Sequence, residues 1–449
     1  MRLEIAYKYG RNKSSQVNAE RLVNMYAEQT SGLSPITLHS VPGLTLWDTL
    51  GTGPIRGMKA HNERLYVVSG NTLYEATETV VTNRGTITGS GPVIMATNGI
   101  ELCIVTNNKT YIFETSLNEI TDPDFPAASS VAFLDGYFLF VERDTGRFFI
   151  SAIYNGNSFD ALDFATAESN PDKLVRVFTD HREVLLFGSK TMEPWANTGN
   201  ADFPFEAISG AITEKGCGSK YSVARIDNAV FFVDDDGVVR RLGDGYAPIR
   251  ISTHEVEQAI KDVYSTSTAM SFVFEGHEFY CLNTSVGTYL YDAATQLWHE
   301  RKSLNLNFWR GCCQEKIFGL NLIGDYQNGN VYRLDAGVYA ENDTDMVAEV
   351  AFPVIHNEGS RFRVHKIELD AERGTGVLGS PTKVRLDISN DGSTWRTIGY
   401  STLGAVGDTS ASAEWRRIGQ HKRLHVRFLI SDPAPRAIYG AYAEIEADG

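Results

Sequence analysis

The residue types that could do chemistry in this chain are few, and their spacing argues against it. Asp234, Asp235, Asp236 and Gly237 run together, and calcium needs several oxygen ligands. A calcium loop alternates Asp or Asn with other residues and ends on a distal Glu. Neither spacing is met, so a solvated hairpin tip is expected. His421 and His425 are four apart, flanking the strand LHVRFLIS (424–431). On one strand that spacing separates two side chains by roughly 13 Å, too far to share a metal. Cys217 sits between Gly216 and Gly218, but nothing in the sequence supplies the base that a nucleophilic thiol needs. Walker loop, G-x-S-x-G elbow and H-E-x-x-H helix are absent. No catalytic, cofactor or metal site is therefore expected, and the sequence does not single out channel or interface residues.

The segment SNDGSTW (389–395) resembles the Asp-box turn of sialidase-type propellers. It is one residue short between Asp391 and Trp395, occurs once, and lies outside the repeat described below. A hairpin turn at Asp391-Gly392, with Trp395 packed on its sheet, is the expected structure. A sialidase-like hydrolase or lectin would need paired carboxylates or an arginine cluster at a propeller's centre, and no acidic residue recurs at a fixed position in the repeat.

The elements that position these residues are read from composition and periodicity. A chain of 449 residues favours two domains, although one propeller ring can hold about 300 residues. The 20 Tyr, 23 Phe and 40 Gly favour strands joined by tight turns. No stretch approaches eighteen consecutive apolar residues, and the N-terminus lacks the apolar core of a secretory signal, so no membrane anchor is expected. Five scattered cysteines are then read as reduced thiols in a protein made and folded in a cytoplasm. Net charge is −15, and from residue 350 onward 13 Lys and Arg meet 12 Asp and Glu, a net of +1. The first 349 residues thus carry −16, which disfavours gripping a nucleic-acid backbone but allows DNA to pass without sticking.

A repeat of strand, turn, strand, turn, strand runs through most of the chain. Its copies open at IRGMKAHN (55–62), PVIMATNG (92–99), SSVAFLDG (129–136), LVRVFTDH (174–181), YSVARIDN (221–228), AMSFVFEG (269–276) and, most loosely, RGCCQEKIFG (310–319). Pairs such as Asn98-Gly99, Asp135-Gly136 and Asp227-Asn228 tolerate positive φ and suit hairpin turns. The spacing is that of four-stranded propeller blades, with a fourth strand in each connector. Six or seven blades are expected over residues 51–340, giving an all-β propeller. Ser252 and Glu255 read as a capping box for one helix carrying Val256, Ile260 and Val263 on a single face. Residues 341–449 lose the repeat and read as an antiparallel β-sandwich, with strands in 364–372, 383–389, 394–399, 414–419, 424–431 and 438–446. Residues 1–50 do not repeat and are expected to pack with that sandwich.

Two stretches resemble the packaged-DNA stabilisation or tail nozzle (tail hub) proteins of short-tailed, podovirus-like phages. One is SSQVNAERLVNMYAEQTSG (14–32), with its R-x-V-N-x-Y-x-E pattern, followed by the Pro-Gly turn of HSVPGLTLW (39–47). The other is FEGHEFYCLN (274–283) leading to GTYLYDAATQLWHERKS (287–303). RISTHEVEQAI (250–260) and the C-terminal SNDGSTW, EWRRIG and SDPAPRAIYGAYAE are also similar to that family, in the expected order along the chain. The resemblance implies a structural virion protein of the tail, assembled in the host bacterial cytoplasm and not an enzyme. It implies a homo-hexamer below the portal-adaptor (head-tail connector) ring that closes the portal channel, retains packaged DNA and conducts it at ejection. The implied partners are that ring, tail fibres or spikes, in some phages a tail needle, and genomic double-stranded DNA passing without sequence-specific binding. The chain is shorter than the family's larger members, so long insertions forming an extended nozzle or fibre dock are expected to be absent or small. A carbohydrate-binding or sialidase-like propeller and a propeller interaction scaffold stand as the alternatives.

Overall fold

Positive-φ turn residues fold each repeat into a meander of antiparallel strands. The computed structural model describes residues 1–31, 34–167, 170–376 and 380–447. Asp135 and Gly136, His181 and Arg182, Asp227 and Asn228, and Glu275 and Gly276 all take positive φ, as two-residue turns matching strand twist require. Blade two differs from expectation. Its first two strands, Ile94–Thr97 and Leu102–Val105, are joined by four residues. There the Asn98 side-chain oxygen accepts from the backbone N–H of Ile100 and Glu101, so the loop is held by a side chain and not by a two-residue turn.

Among the described residues the blades number seven. Blade one comprises Ile55–His61, Arg64–Ser69, Thr72–Ala76 and Val81–Thr86. The next five have their first strands at Ile94–Thr97, Ala128–Leu134, Leu174–Asp180, Ala224–Ile226 and Thr268–Phe274. The connectors do hold short fourth strands, such as Leu117–Glu119 and Phe205–Ala207. Blade seven contributes Gly311–Ile317, Leu320–Asp325 and Asn330–Asp335, and its fourth strand is Gly43–Thr49 from the other end of the chain. The ring is closed by that pairing, in which Leu44 lies opposite Leu334. Closure gives blade seven the fourth strand that the other six blades have of their own.

Apolar faces of successive blades make the core. Between blades two and three, Ile94, Cys103, Ile112, Phe138, Phe140, Phe149 and Phe159 form one buried cluster. Phe140 and Phe149 are cross-strand partners with rings stacked 5.2 Å apart, and such aromatic pairs stabilise beyond their area burial. The helix His254–Ile260 buries Val256 and Ile260 against blades five and six. Its cap departs from the expected Ser252–Glu255 box. Thr253 is the N-cap, accepting from the Val256 N–H, while the Ser252 hydroxyl donates to Glu257 at 2.7 Å. Ser252 is drawn off because its hydroxyl also accepts from the Val239 N–H, which ties it to the blade.

The sandwich has two sheets around a single apolar cluster that includes Ile367, Leu386, Trp415, Val426 and Phe428. One sheet runs Met25–Gln29, Ile36–Ser40, Ala437–Ala447, Phe362–Ala371 and Ala413–His421, with Arg2–Leu3 at its side. The other holds Ala348–Ala351, Arg423–Ile430, Lys383–Ser389 and Arg396–Thr402. The opening segment therefore divides. Met25–Gln29 and Ile36–Ser40 join the sandwich, whereas Gly43–Thr49 departs from the boundary at residue 50 and belongs to the ring. The physical reason is that blade seven has only three strands of its own.

Candidate functional site

Most of the residues singled out for chemistry have structural partners, whereas both ring nitrogens of buried His425 have none among the described residues. Asp234 is buried and accepts from the Asp236 and Val238 N–H groups and from the Arg240 guanidinium. Asp235 pairs with Lys190 and Asp236 with Lys215, each at 2.7 Å. Three cations already balance three carboxylates at this hairpin tip. Cys217 is buried, its thiol is pushed up to about 11 by burial, and it donates to the Ser219 carbonyl. A thiol so protonated is a poor nucleophile. His421 ends the strand Ala413–His421 and His425 lies inside the next, Arg423–Ile430. They are thus on strands of the sandwich's two different sheets, not at two ends of one strand, because the chain passes from one sheet to the other at Lys422. His421 contacts Asn390, and burial lowers the pKa of both imidazoles. Asp391 accepts from the Thr394 and Ser393 N–H groups, which hold its carboxyl far below the usual range. Trp395 lies 4.3 Å under the Arg427 guanidinium. The Asp-box likeness is a turn.

The two stretches about 250 residues apart that carry the family resemblance meet at one place, which no local pattern announces. Strand Arg21–Val23 runs parallel to Leu297–Arg301 of blade six and antiparallel to Ala348–Ala351 of the sandwich. It therefore makes one continuous ten-stranded sheet from ring to sandwich. Arg21 binds Glu300 with two hydrogen bonds, at 2.7 and 2.8 Å. Glu349 stands 3.6 Å from Arg21 and 3.5 Å from Arg427, which in turn binds Asp387 at 2.9 Å. Burial opposes the charge on Arg21, yet Glu300 and then Glu349 hold its pKa above the ordinary value. Two-pronged Arg–carboxylate pairing fixes geometry as well as charge.

The next residue, Asn24, takes φ 56°, a conformation Asn tolerates better than most. Its amide donates to the carbonyls of Lys302 and Val347, both at 2.8 Å, and accepts from the Lys302 N–H. One side chain thus stitches both domains. Tyr26 donates to Glu275 at 3.0 Å and meets the His277 ring edge-on at 4.9 Å. His277 contacts Asp292 at 2.8 Å, and that hydrogen bond raises the imidazole's pKa. Nearby His299 is pushed down to about 4 by burial. The arrangement can do little catalysis: it is a locked polar junction, and its job is to fix one domain against the other.

At the propeller axis the first strands of several blades surround an open cavity of about 670 Å³. Arg56 and Arg176 line it, and none of its lining residues is Asp or Glu. Among the described residues the axis therefore lacks the carboxylate pair that glycoside hydrolysis requires.

Comparison with known proteins gives two adjacent matches. The family described as bacteriophage P22 Gp10, beta-propeller, matches residues 3–339, and that described as bacteriophage P22 Gp10, beta-sandwich, matches residues 348–446. The tail hub protein gp10 of Salmonella phage P22 is 22% identical over 448 residues, covering 91% of each chain. Among solved structures, the extracellular domain of a hybrid two-component system from B. thetaiotaomicron is similar at TM-score 0.46 and 10% identity. That alignment covers 75% of this chain and 45% of the other, so this chain spans less than half of that protein's length. The Cps50 (Swd1) beta-propeller domain of Myceliophteria thermophila is similar at TM-score 0.43 and 8% identity, covering 64% of this chain and 99% of the other.

Proposed function

Since the chain belongs to the bacteriophage P22 Gp10 family of phage stabilisation and tail hub proteins, with both its propeller and its sandwich, we propose that it is the hub that closes a short-tailed phage's portal channel. In this reading it sits in the virion tail, retains packaged DNA, and conducts that DNA at ejection. It is assembled in the host cytoplasm and is not an enzyme. The observation that carries the reading is the family match running from residue 3 to residue 446 across both domains in order.

The physical chemistry is consistent with such a role. Retaining DNA under pressure requires interfaces that resist outward force, and it requires little reactivity. A closed ring joined to a sandwich by Arg21, Asn24 and a continuous sheet transmits force without bending at a linker. Six copies repeating one heterologous interface would close a rotationally symmetric channel. Net −16 on residues 1–349 favours a surface that duplex DNA passes without being held. The partners in this reading are the portal-adaptor ring above and the tail fibres or spikes, with a needle in phages that carry one. The hydrolase form of the carbohydrate-active alternative loses support, since no Asp or Glu lines the axis among the described residues, whereas Arg56 and Arg176 leave its arginine-bearing form open.

The test is electron microscopy of particles produced without this protein. DNA-filled heads that leak, or tails lacking everything distal, are expected. Intact, infectious particles would contradict the proposal.

A further inference from the structure

We propose that the axial cavity of the propeller is a binding site for a small phosphate-class dianion, held by the guanidinium groups of Arg56 and Arg176. Arg176 lies on the first strand of blade four, Leu174–Asp180. Among the described residues it has no hydrogen-bond, ion-pair or ring partner. Its Nε and Nη1 atoms are buried and unsatisfied. Leaving a guanidinium desolvated and unpaired is costly unless an anion completes it. Arg21, Arg240 and Arg427 are completed by Glu300, Asp234 and Asp387. Arg301 and Arg436, which also leave Nε and Nη1 unsatisfied, each donate to a carbonyl, of Pro42 and of Asp432; Arg176 has neither.

A second cation points to the same space. Arg56, on the first strand of blade one, donates to the carbonyls of Gly91 and Gly70 at 2.7 and 3.0 Å. Those bonds clamp the guanidinium while its Nη2 stays buried and unsatisfied. The positive charge extends beyond these two. Burial lowers the pKa of Lys220, and the charges of Arg143 and Arg176 lower it further. Burial likewise brings Arg176 down to about 10. Two arginines therefore line a cavity that has no acidic lining residue among the described residues, although residues 1–349 carry a net charge of −16.

The chemistry selects the ligand. A single carboxylate would leave most of this charge uncompensated, whereas a tetrahedral dianion offers oxygens to both arginine forks. A cavity of about 670 Å³ is of a size that admits a free phosphate or a small organic phosphate. Duplex DNA, whose major groove alone is about 12 Å wide, is too wide to enter a blade-lined axis of that volume.

The test uses the full chain and inorganic phosphate, by calorimetric titration and thermal unfolding at constant ionic strength against chloride. Saturable binding near one phosphate per chain is expected, with a rise in melting temperature of about 3 °C at high occupancy. Arg176→Met should melt higher than the wild type without phosphate, since it removes an unpaired buried charge, and should lose the response to phosphate. Glucose 6-phosphate added in place of phosphate distinguishes an organic phosphate ligand from the free ion: either binding more tightly supports the site. Absence of binding by the wild type overturns the proposal, whatever the variant does. An equal response of wild type and variant overturns it too, as does binding of N-acetylneuraminate or an oligonucleotide where phosphate fails to bind.

Discussion

The ring and the sandwich solve the same problem, burying strand faces, in opposite ways. The ring builds its core in separate clusters between successive blades, each formed by residues close in sequence. The sandwich builds one core from both ends of the chain, with Leu3, Leu22 and Leu38 packed among residues 348–443. The ring carries nearly all the net negative charge and the sandwich almost none. The difference teaches that the domains do not fold from separate pieces of chain. The first 49 residues pass from sandwich to ring and back before ending in the ring, supplying the sandwich, the junction and the closing strand.

The largest effect should come from that closing strand. Leu44→Asp places a charge in a fully buried position and should cost about 4 kcal/mol or more. In urea unfolding the ring should lose its transition while sandwich signals persist. A sandwich lost together with the ring would break the distinction between the two cores.

Next come matched core deletions. Phe140→Ala in the ring and Phe428→Ala in the sandwich should each cost about 3–5 kcal/mol, because both side chains are fully buried. Amide hydrogen exchange should show protection falling in the altered domain first. Uniform loss across both would mean a single cooperative body.

A smaller effect is expected at the junction. Arg21→Met leaves Glu300 and Glu349 facing each other without their shared cation. Discounted for partial exposure of the site, the cost is about 2 kcal/mol. Scanning calorimetry should show transitions of ring and sandwich moving apart, whereas an unchanged single peak would remove Arg21 from the coupling.

The subtlest difference is in pH. Asp292 raises the pKa of His277, so its stabilising contribution is fully present below about pH 6.5 and is lost as pH rises through the raised value. His299, at about 4 in the folded ring, acts in reverse: its contribution is present above about pH 6.5 and lost as pH falls toward 4. His421 and His425 in the sandwich are likewise lowered by burial. From pH 8 to 6.5 the ring should gain stability and the sandwich should not; below 6.5 both should weaken. His277→Gln should reduce the ring's gain, as read from thermal midpoints against pH.

These contrasts also mark what could be read from the residues. The blades were legible because each is a local meander, with pairs such as Asp135-Gly136 dictating its turns. The sandwich strands were legible from period-two alternation, as in Val384, Leu386 and Ile388, all buried. The closing strand was not, since pairing of Leu44 with Leu334 spans almost three hundred residues and no local pattern encodes it. The junction was half legible. Arg21, Asn24, His277 and Glu300 all lie within the stretches that resemble the family, but their meeting depends on the ring's closure. Arg176 was illegible as a site, because an arginine on a strand says nothing about which charges face it across an axis.

The central claim is that this chain is a tail hub joined beneath the head. Cryo-electron microscopy of virions of the phage that encodes it tests this most directly. The account predicts sixfold density below the portal-adaptor ring into which the seven-bladed ring and its rigidly attached sandwich fit as one unit. Complete tails in which neither domain fits, or virions lacking the protein, would contradict it.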